Sequence, residues 1–378
     1  MAIGCKMKIL FVLHDLSLTG APKLGLQIAT VFAETHNVTL VSKKAGPLSE
    51  QIDRSKIKDV IITDTSHEIK DSPVNDRVDS AVELIKTKKP DLIYVNSIAA
   101  ADWVLAAVET NTRVVLHTHE MSKEIMSLLR RRIFRPEDIH RADYIVAASE
   151  ECLKDAIDIF RLDVSKSENF SVCVDIDAVR QSAAMDMPFL PKRHDGQALG
   201  FDKKIVAMCG LACLRKGSDI FYTAAKLMPE IDFLWVGPWD DKAAINANTA
   251  LALNEGAPLD NLYWTNTTAN PYAFIARSDF FFLTSREDPN PLVVPEALLL
   301  NLPTASFTAC GGSHEWTRRF GFALSGETDT LRMVAFLKRY FATASYRHDR
   351  SYTKDLLPLL DLRTKAKGLL DTIIKTAA

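Results

Sequence analysis

The sequence predicts a two-domain α/β protein with a parallel β-sheet in each domain. Short apolar runs of strand length alternate with helical segments along the whole chain, a pattern typical of βαβ units. The chain has 378 residues, more than a single hydrophobic core usually serves. The alternation stops at the polar, aperiodic residues 182–202 and then restarts. We therefore expect two Rossmann-like domains that face each other across a cleft.

The predicted strands of the first half are short runs rich in valine, isoleucine and leucine. They cover residues 9–13, 38–42, 60–63, 92–96, 114–117, 144–148 and 170–174. Apolar residues at helical spacing predict the helices between them. These helices cover residues 20–34, 76–87, 99–109 and 150–160. Residues 1–181 are predicted to form the first domain, and residues 182–202, with two prolines and two glycines, the linker.

The second half repeats the alternation. Its predicted strands cover residues 205–209, 233–236, 262–265, 280–284, 304–308 and 322–324. Its predicted helices cover residues 217–227, 271–275 and 296–300. Residues 203–350 are therefore predicted as the second domain. Residues 351–378 carry an apolar stripe at helical spacing and are predicted as a C-terminal helix that packs back on the first domain.

Composition and charge exclude several classes of protein. Apolar residues make up 47% and charged residues 25%, as in soluble globular proteins. The net charge of −2 provides no field that would attract nucleic acid. The first apolar run, KILFVLHD, lacks a signal-peptide cleavage site, so we expect a cytoplasmic protein. The six cysteines show neither a disulfide-framework spacing nor a zinc-ligand spacing.

The most informative segment is the acidic loop at residues 285–297, SREDPNPLVVPEA. Glu287 and Asp288 follow a predicted buried strand, and Glu296 opens a predicted helix. Open α/β sheets bind ligands at the carboxyl ends of their strands, and the amino terminus of a helix favours phosphate. Carboxylates repel phosphate but accept hydrogen bonds from hydroxyl groups. The loop therefore predicts a site for a sugar joined to a phosphate.

A second loop, CGLACLRKG at residues 209–217, follows the first predicted strand of the second half. Gly210 permits a tight turn, and Arg215 and Lys216 place two cations at the start of a helix. Cations are mildly disfavoured there by the helix dipole. A bound anion would explain them, and a solvated surface pair is the alternative.

Two further loops follow predicted strands in the first half. Residues 14–23, HDLSLTGAPK, contain a glycine turn but not the GxGxxG pattern of dinucleotide-binding proteins. Residues 116–120, LHTHE, place His117 and His119 on one face of a strand. No third ligand at a suitable spacing is visible, so the pattern does not favour a metal site, and a packed core histidine is an alternative for His117.

These four loops resemble those of the GT-B glycosyltransferases, in particular the retaining enzymes of family 4. In that family a serine precedes an acid, and a short loop then leads to Glu-Ala at a helix start. Asp288 and Glu296 have the common spacing of eight positions, whereas Glu287 lies nine positions before Glu296. The resemblance implies that Glu296 binds the ribose hydroxyls of a nucleotide. It also implies that either Glu287 or Asp288 contacts the transferred sugar.

The same resemblance implies roles for the other loop residues. The donor would be bound by Gly20, Ala21, Gly210, Arg215, Lys216, Asn290, Pro291, Leu292 and Glu296. Asn290 and Leu292 could donate main-chain N–H groups to the phosphates, whereas Pro291 has no N–H. Many relatives carry an arginine directly after the glycine turn, where this chain has Leu211. Arg215 is expected to replace that cation.

The catalytic and acceptor-side residues follow from the same comparison. His119 would lie near the reacting sugar and act there with Glu287 or Asp288. Glu120 would orient His119 or face the acceptor, and His14 is assigned to the acceptor side.

The predicted function is therefore glycosyl transfer with retention of anomeric configuration, in glycan or polysaccharide synthesis. A hexose or deoxyhexose would move from a nucleoside diphosphate sugar to an acceptor hydroxyl, without a metal or other cofactor. The alternatives are a non-hydrolysing nucleotide-sugar 2-epimerase and a two-domain sugar-binding protein without catalysis. A basic run at residues 130–132 leaves peripheral membrane contact open.

Overall fold

The computed structural model describes residues 6–64, 74–239, 259–343 and 352–376. The chain forms two compact units: Met1–Cys173 with Asp361–Ala378, and Val174–Leu360. This division differs from the predicted one, because the predicted linker, residues 182–202, lies inside the second unit. Part of this segment is tied to that unit by main-chain hydrogen bonds between Lys192 and Trp264.

The first unit contains a parallel sheet of seven strands. They are β1 (Lys8–Leu13), β2 (Asn37–Ser42), β3 (Asp59–Ile62), β4 (Leu92–Asn96), β5 (Val114–Thr118), β6 (Tyr144–Ala147) and β7 (Ser167–Asn169). Their order in the sheet is β3-β2-β1-β4-β5-β6-β7. The prediction of the last strand at residues 170–174 was wrong. Phe170 and Val172 are buried core residues that follow the strand, whereas the polar residues before them pair with β6 through the main chain.

Helices cover both faces of this sheet. They are α1 (Gly20–Phe32), α2 (Val74–Lys88), α3 (Asp102–Glu109), α4 (Ser122–Arg130), α5 (Pro136–Ile139) and α6 (Glu150–Phe160). Alternate residues of β1 point to opposite faces. Leu10 and Val12 belong to the core cluster that contains Trp103 of α3, whereas Phe11 belongs to the cluster that contains Phe32 of α1. The strands are therefore buried on both faces, as is usual for parallel sheets.

The second unit repeats this architecture with six parallel strands. They are β8 (Ile205–Cys209), β9 (Asp232–Val236), β10 (Leu262–Trp264), β11 (Phe280–Leu283), β12 (Thr304–Phe307) and β13 (Phe322–Leu324). Their order is β10-β9-β8-β11-β12-β13. The described helices are α7 (Ile176–Ala184), α8 (Ser218–Leu227), α9 (Tyr272–Ile275), α10 (Val293–Leu299), α11 (Ser313–Phe320), α12 (Thr330–Ala342) and α13 (Thr353–Leu360).

The C-terminal segment divides between the two units. Asp361 lies between α13 and the last helix, α14 (Leu362–Lys375). It caps α14 by accepting a hydrogen bond from the main-chain N–H of Thr364 at 2.6 Å. The apolar side of α14, including Ile373, joins the core cluster of the first unit that contains Phe32. The segment predicted as one helix is therefore two, and the second of them packs in the first unit.

Both sheets reverse their winding direction at the centre. In the first unit this point lies between β1 and β4, and in the second it lies between β8 and β11. Ligand sites of open α/β sheets form beyond the carboxyl ends of such a strand pair. The topology confirms the predicted fold class, α/β with a Rossmann-like sheet in each unit. In the described part of the chain, no helix is long and apolar enough to cross a membrane.

Gly217, between β8 and α8, brings the loop after β8 directly against the end of β11. Its φ angle is +71°, which favours glycine. A Cβ atom at this position would lie 2.0 Å from the carbonyl oxygen of Thr284. Only glycine allows the two loops to approach this closely.

We predict that Gly217→Ala destabilises the second unit by at least about 2 kcal/mol, since it combines backbone strain with a main-chain clash. Gly368→Ala is the matched control, because Gly368 lies within α14 and an added Cβ would meet no atom within 4 Å. The control should stabilise the first unit by about 0.5–1 kcal/mol. Denaturant unfolding of both variants measures the difference. Equal stability of wild type and Gly217→Ala would contradict the close approach.

Candidate functional site

In the second unit, Arg286 joins the loop after β11 to the loop after β8. Its guanidinium donates two hydrogen bonds of 2.7 Å to the carboxylate of Asp219 in the first turn of α8. It donates a third bond of 2.7 Å to the carbonyl of Leu214. The main-chain N–H of Arg286 also donates to the carbonyl of Arg215 at 2.8 Å. Bidentate charged bonds of this kind are geometrically restrictive, so the two predicted donor-binding loops form one structure.

Asp288, one of the two adjacent acids, is paired with a predicted phosphate-binding cation. The ammonium of Lys216 donates to Oδ2 of Asp288, and the hydroxyl of Ser285 donates to the same oxygen at 3.1 Å. Arg215 instead donates to the main-chain carbonyl of Glu287 at 2.9 Å. Both acids are buried, and the carboxylate of Asp288 contacts the ammonium of Lys216.

Glu296 lies in the first turn of α10 and is oriented by a residue that the sequence analysis missed. The helix begins at Val293 rather than at Glu296, so the predicted start was wrong by three residues. The hydroxyl of Tyr272 on α9 donates to Oε1 of Glu296 at 2.7 Å. Burial, and then the charge of Glu296, raise the pKa of Tyr272 far above its ordinary value, so the phenol remains a donor. No local signal in the sequence marks Tyr272 as this partner.

The loop residues Asn290, Pro291 and Leu292 lead into α10. The carbonyl groups of Pro291 and Leu292 accept hydrogen bonds from the main chain of Val294 and Glu296, at 3.0 and 3.1 Å. Nδ2 of Asn290 is buried and has no hydrogen-bond partner within the described residues. A buried donor without a partner costs free energy, and a ligand that accepts a hydrogen bond here would recover it.

Gly210 forms the turn directly after β8, as predicted. Its φ angle is +150°, and its carbonyl accepts a hydrogen bond from the indole N–H of Trp235 at 2.8 Å. A Cβ at this position would lie 3.6 Å from Cε of Lys216. The turn therefore passes close beneath the side chain of Lys216 and helps to place its ammonium.

In the first unit, Asn96 connects two of the predicted loops. Its Nδ2 donates to the carbonyl of Ala21 at the start of α1, at 3.0 Å. Its Oδ1 lies 2.9 Å from Nε2 of His119, after β5. Asn96 is completely buried. Ala21 and His119 are therefore held together by one side chain that the sequence analysis did not select.

Glu120 is buried and accepts hydrogen bonds from the loops around it. Its donors are the hydroxyl of Ser97 at 2.5 Å, the main-chain N–H of Ile98 at 3.3 Å, the hydroxyl of Thr118 at 3.2 Å and the main-chain N–H of His119 at 2.8 Å. The imidazole of His119 bonds to Asn96 instead. Glu120 thus orients His119 through its backbone and shapes the loop after β4, where Ser97 has a φ angle of +103°.

The rings of His117 and His119 are in contact at the end of β5, with centroids 4.1 Å apart and planes tilted by 33°. Nδ1 of His117 shares a hydrogen bond of 2.8 Å with the hydroxyl of Tyr94. Burial, and then the neighbouring His119, hold the pKa of His117 well below its ordinary value. Burial, and then His14, lower the pKa of His119 to about 3. Both rings are therefore neutral at physiological pH.

His14 and Gly20 flank the loop after β1. Nδ1 of His14 is buried without a hydrogen-bond partner in the described part of the chain, and its Nε2 lies 3.7 Å from the carboxylate of Asp15. Gly20 is exposed, and a Cβ there would contact nothing within 4 Å. Its predicted close approach to a donor therefore stays a prediction.

A buried ion pair in the first unit was also missed. The ammonium of Lys43, directly after β2, contacts both carboxylate oxygens of Asp102 at 2.9 and 2.8 Å. It also donates to the carbonyl of Ala99 at 3.3 Å. The pair fixes the start of α3 beside the strained loop after β4. Its partners are 59 residues apart, so no sequence spacing reveals it.

Residues 20–177 match the model of Glycosyltransferase Family 4, and no curated protein sequence matches the chain. The structure is similar to HepE from Anabaena, solved in complex with UDP-glucose, with a TM-score of 0.77 at 17% identity over 98% of this chain and 100% of HepE.

Two further structures share the fold. Sucrose-phosphate synthase from Thermosynechococcus elongatus has a TM-score of 0.72 at 14% identity, over 99% of this chain and 100% of the synthase. A Listeria monocytogenes protein assigned as a UDP-N-acetylglucosamine 2-epimerase has a TM-score of 0.62 at 14% identity, over 98% of this chain and 96% of that protein.

The similar structures establish the class of fold, which is that of the GT-B glycosyltransferases, as predicted. The family match then confirms the predicted likeness to glycosyltransferase family 4. The match covers most of the first unit and ends before the acidic loop, so the roles of the donor-binding residues stay predictions.

We predict that the neutral histidines make the first unit sensitive to acid. A His whose pKa is lowered by folding stabilises the native state above pH 6.5, and this contribution is lost as the pH falls toward the folded pKa. For His119, the free energy of unfolding should fall by up to about 2 kcal/mol between pH 6.5 and pH 5.

The test is denaturant unfolding at pH 7 and pH 5 for wild type, His119→Gln and His140→Gln. The His119 variant should lose less stability on acidification than wild type. The exposed His140 is the control, and its variant should follow the wild type. Identical losses in all three proteins would show that His119 titrates normally in the folded state.

Proposed function

We propose that this protein is a retaining glycosyltransferase that moves a hexose from a nucleoside diphosphate sugar to an acceptor hydroxyl. The observation that carries the proposal is the Lys216–Asp288 ion pair at the carboxyl edge of the second sheet, followed along the same loop by the buried Glu296 in the first turn of α10. It combines a cation suited to phosphate with carboxylates suited to hydroxyl groups, at the point where the sheet reverses its winding.

Donor binding would use both loops of the second unit. Glu296, oriented by Tyr272, would accept hydrogen bonds from the ribose hydroxyls. Lys216 and Arg215 would bind the diphosphate and stabilise the negative charge that develops on it as the glycosidic bond breaks. The complex of HepE with UDP-glucose supports a donor of this class.

Asp288 is the better candidate for contact with the transferred sugar. Its carboxylate already lies against Lys216, so a sugar that contacts it would have its phosphate beside a cation. The unpartnered Nδ2 of Asn290 would donate to an oxygen of the same ligand. Glu287 would shape the loop, through its carbonyl bond to Arg215.

Retention would proceed without a protein base. A histidine with a pKa of about 3 is a poor proton acceptor at neutral pH, so His119 would contact the sugar as a neutral hydrogen-bonding group. The leaving diphosphate would take the proton of the acceptor hydroxyl on the face from which it departs. Acceptor-side roles of His14 and Glu120 stay predictions.

Several other features also stay predictions. These are the cytoplasmic location, the independence from metals and cofactors, and the peripheral membrane contact through residues 130–132. The 2-epimerase alternative shares the fold, as the Listeria monocytogenes protein shows. The products formed from a nucleotide sugar distinguish the two reactions.

We predict that UDP-glucose raises the midpoint of thermal unfolding of the wild-type protein, because a ligand that binds only the native state stabilises it. Glu296→Ala should weaken donor binding by about 10- to 100-fold, the usual loss for hydrogen bonds to a charged group. Glu230→Ala, at an exposed position of the same unit, is the matched control and should bind like wild type. If none of a panel of UDP-, GDP- and dTDP-sugars shifts the wild-type midpoint, the proposed function is wrong.

We predict that the enzyme forms a glycoside with the anomeric configuration of its donor. Incubation with the donor that binds and a panel of glycan acceptors, followed by NMR of the anomeric proton, reads the configuration directly. Without acceptor, slow release of nucleoside diphosphate and free sugar is expected. An inverted product would refute retention, and a 2-epimeric nucleotide sugar would favour the epimerase.

A further inference from the structure

We propose that Asn96 is a positioning residue that fixes His119 in the tautomer protonated at Nε2, so that Nδ1 accepts a hydrogen bond from a sugar hydroxyl. The inference rests on the proposed function for the identity of that ligand. The tautomer itself follows from the geometry of the first unit alone. Asn96 is the last residue of β4, and His119 follows β5; both strands are central in the sheet.

The orientation of the Asn96 amide is determined by its second partner. The carbonyl oxygen of Ala21 can only accept a hydrogen bond, so the Asn96 atom 3.0 Å from it must be the NH₂ group. The other end of the amide, facing His119, is then the oxygen Oδ1, which can only accept. Nε2 of His119, 2.9 Å away, must therefore carry the proton.

A neutral imidazole with a proton on Nε2 has its lone pair on Nδ1. In the described part of the chain, Nδ1 of His119 has no hydrogen-bond partner and is not among the buried unpartnered atoms. It is thus an open acceptor at the end of β5. Hydroxyl groups are donors that suit it, whereas phosphate oxygens are not.

The surroundings hold the ring in one place and keep it neutral. Asn96 is completely buried, and its amide cannot reverse without placing NH₂ against Nε2–H and oxygen against the Ala21 carbonyl. The ring of His119 packs against that of His117 at a tilt of 33°, and His117 in turn bonds to Tyr94. Burial favours the uncharged imidazole, in agreement with the low pKa of His119.

The same amide links His119 to the start of α1. A displacement of Ala21, whose turn is predicted to contact the donor, would be transmitted to His119 through Asn96. The acceptor atom Nδ1 is therefore placed relative to that turn by a single buried side chain, and a substitution at Asn96 would alter sugar recognition without removing a group that touches the sugar.

The first test is the ¹⁵N NMR spectrum of the histidine rings in the full-length protein, with His119 assigned by comparison with His119→Gln. Ring nitrogen shifts distinguish the two neutral tautomers and the imidazolium. At pH 7 the wild-type protein should show Nε2 protonated and Nδ1 unprotonated. If His119 carried its proton on Nδ1, or were an imidazolium, the inference would be wrong. This test uses the wild-type Asn96.

The second test uses Asn96→Asp, with Asn111→Asp at an exposed position of the same unit as the control. The new carboxylate would favour imidazolium at His119, and should move its pKa upward in the NMR titration while weakening the link to Ala21. The control should leave the titration of His119 unchanged. An unchanged pKa in a folded Asn96→Asp variant would show that Asn96 does not set the protonation of this ring.

The last arm concerns the hydroxyl ligand. The substrates are deoxy analogues of the active sugar donor, each lacking one hydroxyl. For at least one of them, the kcat/KM of the wild-type enzyme should be at least about tenfold lower than for the parent donor. His119→Phe should lose that discrimination. If it discriminates as wild type does, the hydroxyl contact is wrong. If the wild-type protein bound no donor, the proposed function would be refuted. The tautomer of His119 measured by NMR would be unaffected by that result.

Discussion

The loops at the carboxyl edges of both sheets depend on buried carboxylates. A carboxylate removed from water is costly unless donors surround it, and Glu120, Asp288 and Glu296 are all buried. Each draws donors from a different segment: Glu120 from the loop after β4, Asp288 from the loop after β8, and Glu296 from α9. The loops at the carboxyl ends of the strands are therefore ordered by the need to satisfy these charges. The groups that could recognise a sugar are also those that hold the loops in place.

The architecture was predictable because its signals are local. Strands such as β4 and β8 match their predicted bounds, since a fully buried strand reads as an unbroken apolar run. The acidic loop was equally visible, because Asp288 and Glu296 stand together in the sequence after a buried strand. The errors occurred where tertiary contacts override the local pattern. The apolar residues after β7 belong to the core rather than to the ladder, and α10 begins three residues before Glu296.

The partners of the site residues could not be predicted, because they are distant in sequence. Lys216 and Asp288 are 72 residues apart, as are Arg215 and Glu287. Tyr272 precedes Glu296 by 24 residues. The pairing of β8 with β11 brings the loop after β8, with Arg215 and Lys216, beside the loop after β11, with Glu287 and Asp288. A sequence can nominate a lysine and an acid for the same site, but the topology decides that they meet.

The Lys216–Asp288 pair places a cation directly beside an acid at the carboxyl edge of the second sheet. Each charge neutralises the other, and the hydroxyl of Ser285 donates a further hydrogen bond to the acid. In the proposed complex the diphosphate would bind the ammonium of Lys216, and a sugar hydroxyl would donate a hydrogen bond to the carboxylate of Asp288. Both charges would then have a partner. Arg215 holds the main chain of Glu287 through its carbonyl. The two adjacent acids therefore make different contacts: the backbone of Glu287 anchors the loop to Arg215, while the side chain of Asp288 pairs with Lys216.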